Sequence, residues 1–283
     1  MEWRDVLLNG LRVRMFEVNG ISFGVAPYVG PRVLFFGEKD FNLFAVLPEV
    51  GFETPDGFWR LYGGHRLWVA PEAMPRTYSI DEGPVEVEVR GKRVTVTGPV
   101  EEKNGIRKRL TIKPEGKALR VVHEVENTSR WPLEFAPWAI SVLRGGGYAV
   151  IPLKPRGEGL LPDRHIALWP YTSLNDERLL FLEDCLVVKH RAVREPLKVG
   201  TRGSVAAYWV EGFLFVKRVE ESGPYPDLGS NIEVYAGENY IELETLGPLR
   251  RVEPGEVHSH EEFWEVQRME SPLERGALDE ALS

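Results

Sequence analysis

Apolar and polar residues alternate in short runs along most of the chain. Clear cases are Val85–Val89, Arg93–Thr97, Ile106–Ile112, Leu119–Val125, Leu214–Lys217 and Asn231–Tyr235. A period of two places successive side chains on opposite faces of a strand. Gly, Pro, Asn and Asp separate the runs, as in Arg90-Gly91-Lys92, Lys113-Pro-Glu-Gly116 and Ala236-Gly237-Glu238-Asn239, and these are turn formers. Short strands at roughly ten-residue spacing predict an all-β, antiparallel sandwich or barrel with few short helices. Helical periodicity is confined to the tail, where Ser271–Leu282 could form one short helix.

The run Tyr240-Ile-Glu-Leu-Glu-Thr-Leu-Gly-Pro-Leu249 combines this periodicity with charge. Tyr240, Glu242 and Glu244 share one face, while Ile241, Leu243 and Thr245 share the other. An apolar back and a carboxylate front is how a β protein offers a base to a polar ligand. Glutamates on strands are also commonly just solvated.

Neither a repeat nor a linker breaks the chain, so 1–283 reads as a single domain. The Pro- and Gly-rich segment 151–175 reads as a long connection across one end of the sheets, a type that often carries function. A net charge of −8 argues against nucleic acid, whose phosphates need a basic footprint. Membrane partners are likewise not expected, because no apolar run approaches the roughly 18 residues of a membrane span and no leader is visible. A soluble, cytoplasmic protein is the expectation. Cys185 is the single cysteine, which precludes an intrachain disulfide, and its apolar surroundings predict a buried small hydrophobe. One glutamine, Gln267, and a high charged fraction follow the compositional trend of thermophile proteins. No cofactor motif is present, and the oligomeric state is left open.

Three further segments carry candidate chemistry. Phe58–Glu72 gathers Trp59, Tyr62, His65, Arg66, Trp68 and Glu72 around Gly63-Gly64. Aromatic rings beside charged groups suit a sugar, whose CH face stacks while its hydroxyls are bonded. The alternative is a core strand with His65 hydrogen-bonded inside. Pro132–Leu143 places Trp138 among apolar neighbours, and Gly223–Asn231 carries Asp227 and Asn231 in a turn-rich loop. His258, His260 and Glu265 have strand spacing that a metal site would use, but too little chain follows to complete one, so no metal is expected. Arg144-Gly-Gly-Gly147 has neither the lysine nor the helix of a phosphate loop.

Leu61-Tyr-Gly-Gly64, Asn127-Thr-Ser129 with Pro132-Leu-Glu-Phe135, Ile241-Glu-Leu-Glu244 and Pro254-Gly-Glu256 occur in an order that resembles the galactose mutarotase (aldose 1-epimerase) superfamily. The resemblance implies an antiparallel β-supersandwich, a small-molecule carbohydrate ligand and interconversion of sugar anomers. It places Glu244 at the family's general base. The family's acid histidine falls in a segment that here reads Pro137–Leu143, without histidine, and its other histidine falls on Tyr62. His65 is the candidate acid from a shifted position, with Arg66, Tyr62, Trp138, Asp227 and Asn231 as substrate contacts. Two further readings stay open: carbohydrate binding without turnover, and a lyase or isomerase of acidic sugars in which Arg66 pairs with a substrate carboxylate.

Overall fold

The computed structural model describes residues 1–157, 159–271 and 282. The tail helix expected over 271–282 therefore lies almost wholly outside the described residues. Alternation becomes strand throughout the described chain: the runs above extend to Glu86–Arg90, Arg93–Glu101, Ile106–Glu115, Ala118–Asn127, Phe213–Val219 and Ile232–Ala236. Among the elements of the described residues, two are single helical turns, at Arg76–Tyr78 and Pro226–Gly229. Among the described residues the strands form two antiparallel sheets, one of thirteen strands and one of ten.

From its middle to one edge the larger sheet runs, in hydrogen-bonding order, Arg32–Glu38, Gly57–Ala70, Leu133–Arg144, Tyr240–Leu246, Ile232–Ala236, Leu197–Thr201 and Ala167–Leu168. The smaller sheet has Phe213–Val219, Val257–Arg268 and Ala118–Asn127 at its centre. Phe23, Phe36, Leu243 and Ile241 of the first sheet meet Leu110, Val121, Phe215 and Trp264 of the second in one apolar layer. At roughly 25 cal/mol per Å² of apolar surface, burial in this layer is the main stabilising contribution. Cys185 is buried, as its neighbours predicted.

Register aligns one row of side chains across four strands. Arg66 pairs with Ile140, Ile140 with Glu244, and Glu244 with Glu233. Because neighbours along a strand alternate, this row faces away from the second sheet while His65, Ser141 and Thr245 face it.

The strand Gly57–Ala70 breaks its own alternation at Tyr62, Gly63 and Gly64, which have φ of 54°, 78° and 67°. The break shifts the parity, so Trp59 and Leu61 before it and Arg66 and Trp68 after it reach the same face. A Cβ on Gly64 would lie 2.2 Å from the Val33 carbonyl oxygen. Gly64→Ala combines that clash with an unfavourable φ, and is expected to lower stability by roughly 3 kcal/mol. Urea unfolding tests this, and an unchanged midpoint at unchanged slope would remove the requirement for glycine.

Candidate functional site

The outward face of the larger sheet carries a cleft of about 310 Å³. Trp59, Arg66 and Trp68 come from one strand, Trp138 and Ile140 from the next, and Tyr240 and Glu242 from the third. Tyr235 and Lys198 close the far side, and Glu72 and Tyr78 stand at the near end. The 151–175 connection delivers Trp169 and Tyr171 to the same wall. Its Ala167–Leu168 strand docks on Leu197–Thr201, which fixes where those rings stand.

Two cations sit among the rings, each already paired. Arg66 Nη2 donates to Glu242 Oε1 at 2.9 Å, and its guanidinium stacks over Trp68 at 4.3 Å. A substrate carboxylate would have to displace Glu242 to use this arginine fully. Burial raises the Glu242 carboxyl above the usual range, and Arg66 partly opposes it. Lys198 Nζ lies 2.8 Å from Glu244 Oε2 and 2.7 Å from Glu233 Oε2, between the rings of Trp138 and Trp169. Burial alone would lower the Lys198 pKa. Glu233 and Glu244 outweigh it and hold the ammonium well above its ordinary value. Trp138 Nε1 also donates to Glu244 Oε2, at 2.7 Å. The other oxygen of Glu244, Oε1, is buried with no hydrogen-bond partner.

Of the residues the sequence nominated, Arg66 and Trp138 line the cleft, and Glu244 lies directly behind Lys198 and Trp138 on the same face. Asp227 sits beside Glu233 and Lys198; burial raises its pKa, and Lys198 partly opposes that shift.

Three nominations need correction. His65 is on the opposite face of the sheet, fully buried between the two sheets, because its neighbour Arg66 takes the cleft side. Tyr62 sits at the parity break and packs with Val13, Leu34 and Val46 on another part of the molecule. Asn231 clamps a loop, donating to the Gly203 carbonyl at 2.8 Å and accepting from the Gly203 N–H at 2.9 Å.

The surroundings of His65 explain why a histidine is there. His123 Nδ1 faces the His260 carbonyl oxygen at 3.0 Å, so it donates and leaves His123 Nε2 as an acceptor. His65 Nε2 then donates to His123 Nε2 at 2.7 Å, and Ser141 Oγ donates to His65 Nδ1 at 2.9 Å. Each ring nitrogen is satisfied with both imidazoles neutral. Burial, reinforced by Lys217, holds His65 well below its ordinary pKa. His65, His123 and Glu262 place one nitrogen or oxygen each within 4.8 Å of one another, a set that could ligate a metal. Here the Glu262 carboxylate is instead taken by Lys217 at 2.8 Å, Trp264 at 2.6 Å and Thr245 at 2.6 Å. His258 and His260 bond the Pro248 carbonyl and Thr245 hydroxyl, at 2.7 Å each, and Glu265 pairs with Arg218.

Sequence reasoning did not find Lys198 or Glu233. Each is a lone charge between apolar neighbours, in Leu197-Lys-Val and Ile232-Glu-Val. A charged residue on a strand that reads as core was the available signal.

No family model matches the sequence, and no curated relative matches it. Solved structures do share the architecture, which is a galactose mutarotase-like β-sandwich. A Salmonella typhimurium protein provisionally described as a mutarotase superposes with a TM-score of 0.62 at 10% identity, over 94% of each chain. A galactose mutarotase-like protein from Lactobacillus casei gives 0.55 at 10% identity, over 90% of this chain and all of the other (100%). A TPR-domain containing protein from Parabacteroides distasonis gives 0.61 at 15% identity over 93% of this chain. This chain spans only 48% of that protein. At such identities the likeness defines the fold alone. Among the described residues, no helix is long and apolar enough to cross a membrane.

Proposed function

We propose that the chain is a mutarotase-like carbohydrate-active protein that binds a sugar in this cleft, with Glu244 as the proton acceptor. One observation carries the reading: a buried glutamate with one unpartnered oxygen lies behind a cleft walled by aromatic rings. Rings of this kind take the apolar face of a sugar, and a free carboxylate oxygen takes a hydroxyl proton. Lys198 and Trp138 both donate to the other oxygen of Glu244 and hold the carboxyl in place. The solved mutarotase-like proteins of the same fold are consistent with a small sugar as ligand.

A second reading, carbohydrate binding without turnover, is favoured by the absence of an imidazole from the cleft lining among the described residues. Two measurements on the wild-type protein separate the readings. Isothermal calorimetry across common aldoses identifies what binds, and exchange NMR on the bound sugars reports anomer interconversion. Binding with accelerated exchange supports catalysis. Binding with the uncatalysed rate selects the second reading, and no binding by any aldose removes both.

The wall is open to a direct check. Trp169→Leu removes a ring from the connection rather than from the sheet, so the fold is spared. The expected result is about a tenfold weaker affinity for whichever aldose binds, read by the same calorimetry. Unchanged affinity would exclude Trp169 from the binding surface.

A further inference from the structure

A proton acceptor alone cannot open a sugar ring, because the ring oxygen must gain a proton as its bond to the anomeric carbon breaks. All six histidines of the chain lie outside the cleft lining. The geometry around Glu244 supplies a different donor.

Lys198, Glu233 and Glu244 are buried together, with relative exposures of 4%, 0% and 0%. A single ammonium contacts two carboxyl groups at 2.7 and 2.8 Å. Two carboxylates against one cation would leave an uncompensated charge out of reach of water, which is strongly unfavourable. Adding one proton relieves it. Hydrogen bonding decides where that proton goes. Glu244 accepts from both Lys198 and Trp138. Neither oxygen of Glu233 accepts an aligned hydrogen bond, although Lys198 touches it. Asp227 presses a third carboxyl toward Glu233 from a left-handed backbone (φ 53°), followed by Leu228 at φ 60°. Such a conformation persists only when its surroundings impose it. The charged groups facing Glu233 are thus Lys198, Glu244 and Asp227.

We propose that Lys198 is the proton donor of this cleft, protonating the ring oxygen of a bound aldose, and that Glu233 is a protonated positioning residue that leaves Glu244 as the main charge retaining the Lys198 proton. The inference rests on the catalytic reading above. Glu244 takes the proton of the anomeric hydroxyl, and that O–H electron pair becomes the second bond of the new carbonyl. The pair of the C1–O5 bond moves onto O5, which takes a proton from Lys198 Nζ. Rotation about the C1–C2 bond and reversal of both transfers close the ring as the other anomer, with lysine and glutamate restored. The two transfers are coupled. A strongly held ammonium is a poor acid, but the proton that reaches Glu244 cancels the charge holding the proton on Lys198.

The test uses Lys198→Arg and Glu233→Gln in the full chain. Arginine keeps the positive charge but does not release a proton in proteins. Exchange in Lys198→Arg is expected to fall about 100-fold, with sugar affinity within about threefold in calorimetry. Glu233→Gln is expected to remove the infrared carbonyl stretch of a protonated carboxyl. A Lys198→Arg rate within about threefold of wild type overturns the donor assignment while the Glu244 reading stands. An unchanged carbonyl band in Glu233→Gln overturns the protonated Glu233. A wild-type protein that binds sugars without accelerating exchange overturns the donor together with the catalytic reading, and the infrared band still decides the state of Glu233.

Discussion

Replacing Lys217 with methionine is expected to lower the stability of the protein by about 3–5 kcal/mol. Lys217 and Glu262 are fully buried between the sheets, 2.8 Å apart, and Lys217 also donates to the Leu243 carbonyl oxygen at 3.0 Å. Methionine fills most of the lysine volume, so the cost arises from the charge left behind on Glu262 rather than from a cavity. Guanidinium unfolding of Lys217→Met, Glu262→Gln and the double variant separates the contributions. The double variant should recover much of the loss, since it leaves no unpaired charge. A single variant within about 1 kcal/mol of wild type would show that the pair is not holding the sheets together.

The same pair sets a pH dependence. Burial pushes the Glu262 carboxyl up, but Lys217, with His123 and His260 beyond it, holds it down from 4.5 to about 2. A carboxylate with a depressed folded pKa contributes stability that is present above its unfolded pKa and is lost as the pH falls through the folded value. In wild type that contribution is complete above about pH 4.5 and fades toward pH 2. Without Lys217, burial dominates and the carboxyl takes up a proton at higher pH. The stability gap between wild type and Lys217→Met is therefore widest near neutrality and narrows as the pH falls. A gap independent of pH between 7 and 3 would show that Glu262 is not the group responsible.

Glu244→Gln is expected to lower anomer exchange by about 10²–10⁴-fold, the usual contribution of a positioned general base. Glutamine keeps the shape and can still accept from Trp138 or Lys198, but it cannot take a proton. Exchange NMR gives the rate, while calorimetry on the same sugar should show a much smaller change in affinity. An unchanged exchange rate would remove Glu244 from the chemistry. A large loss of affinity with little change in bound-state exchange would make it a binding residue instead.

How far the site was legible in the chain follows from the range of each signal. Glu242 and Glu244 on one face and the all-β architecture follow from local alternation. Lys198 and Glu233 did not stand out, because each is one charge in a five-residue strand. Their meaning comes from partners 46 and 11 positions away, Glu244 in both cases. His65 was misplaced for a related reason. It adjoins Arg66, and both are polar, so the sequence did not distinguish which faced the cleft.

By itself the sequence determined the strand period, the turns, and the carboxylate face of Tyr240–Leu246, because side-chain direction within a strand depends only on position along it. Tertiary structure decided which side of the sheet was cleft and which was core. The left-handed break at Tyr62–Gly64 let Trp59 and Arg66 share a face. The second sheet supplied His123, Lys217 and Glu262 to enclose His65. Register set Glu233 against Glu244, and Lys198, paired with Tyr235 in the next row, reaches between them with its side chain. Such pairings join residues far apart in the chain, and whether a buried charge is tolerated depends on the partner that folding brings to it.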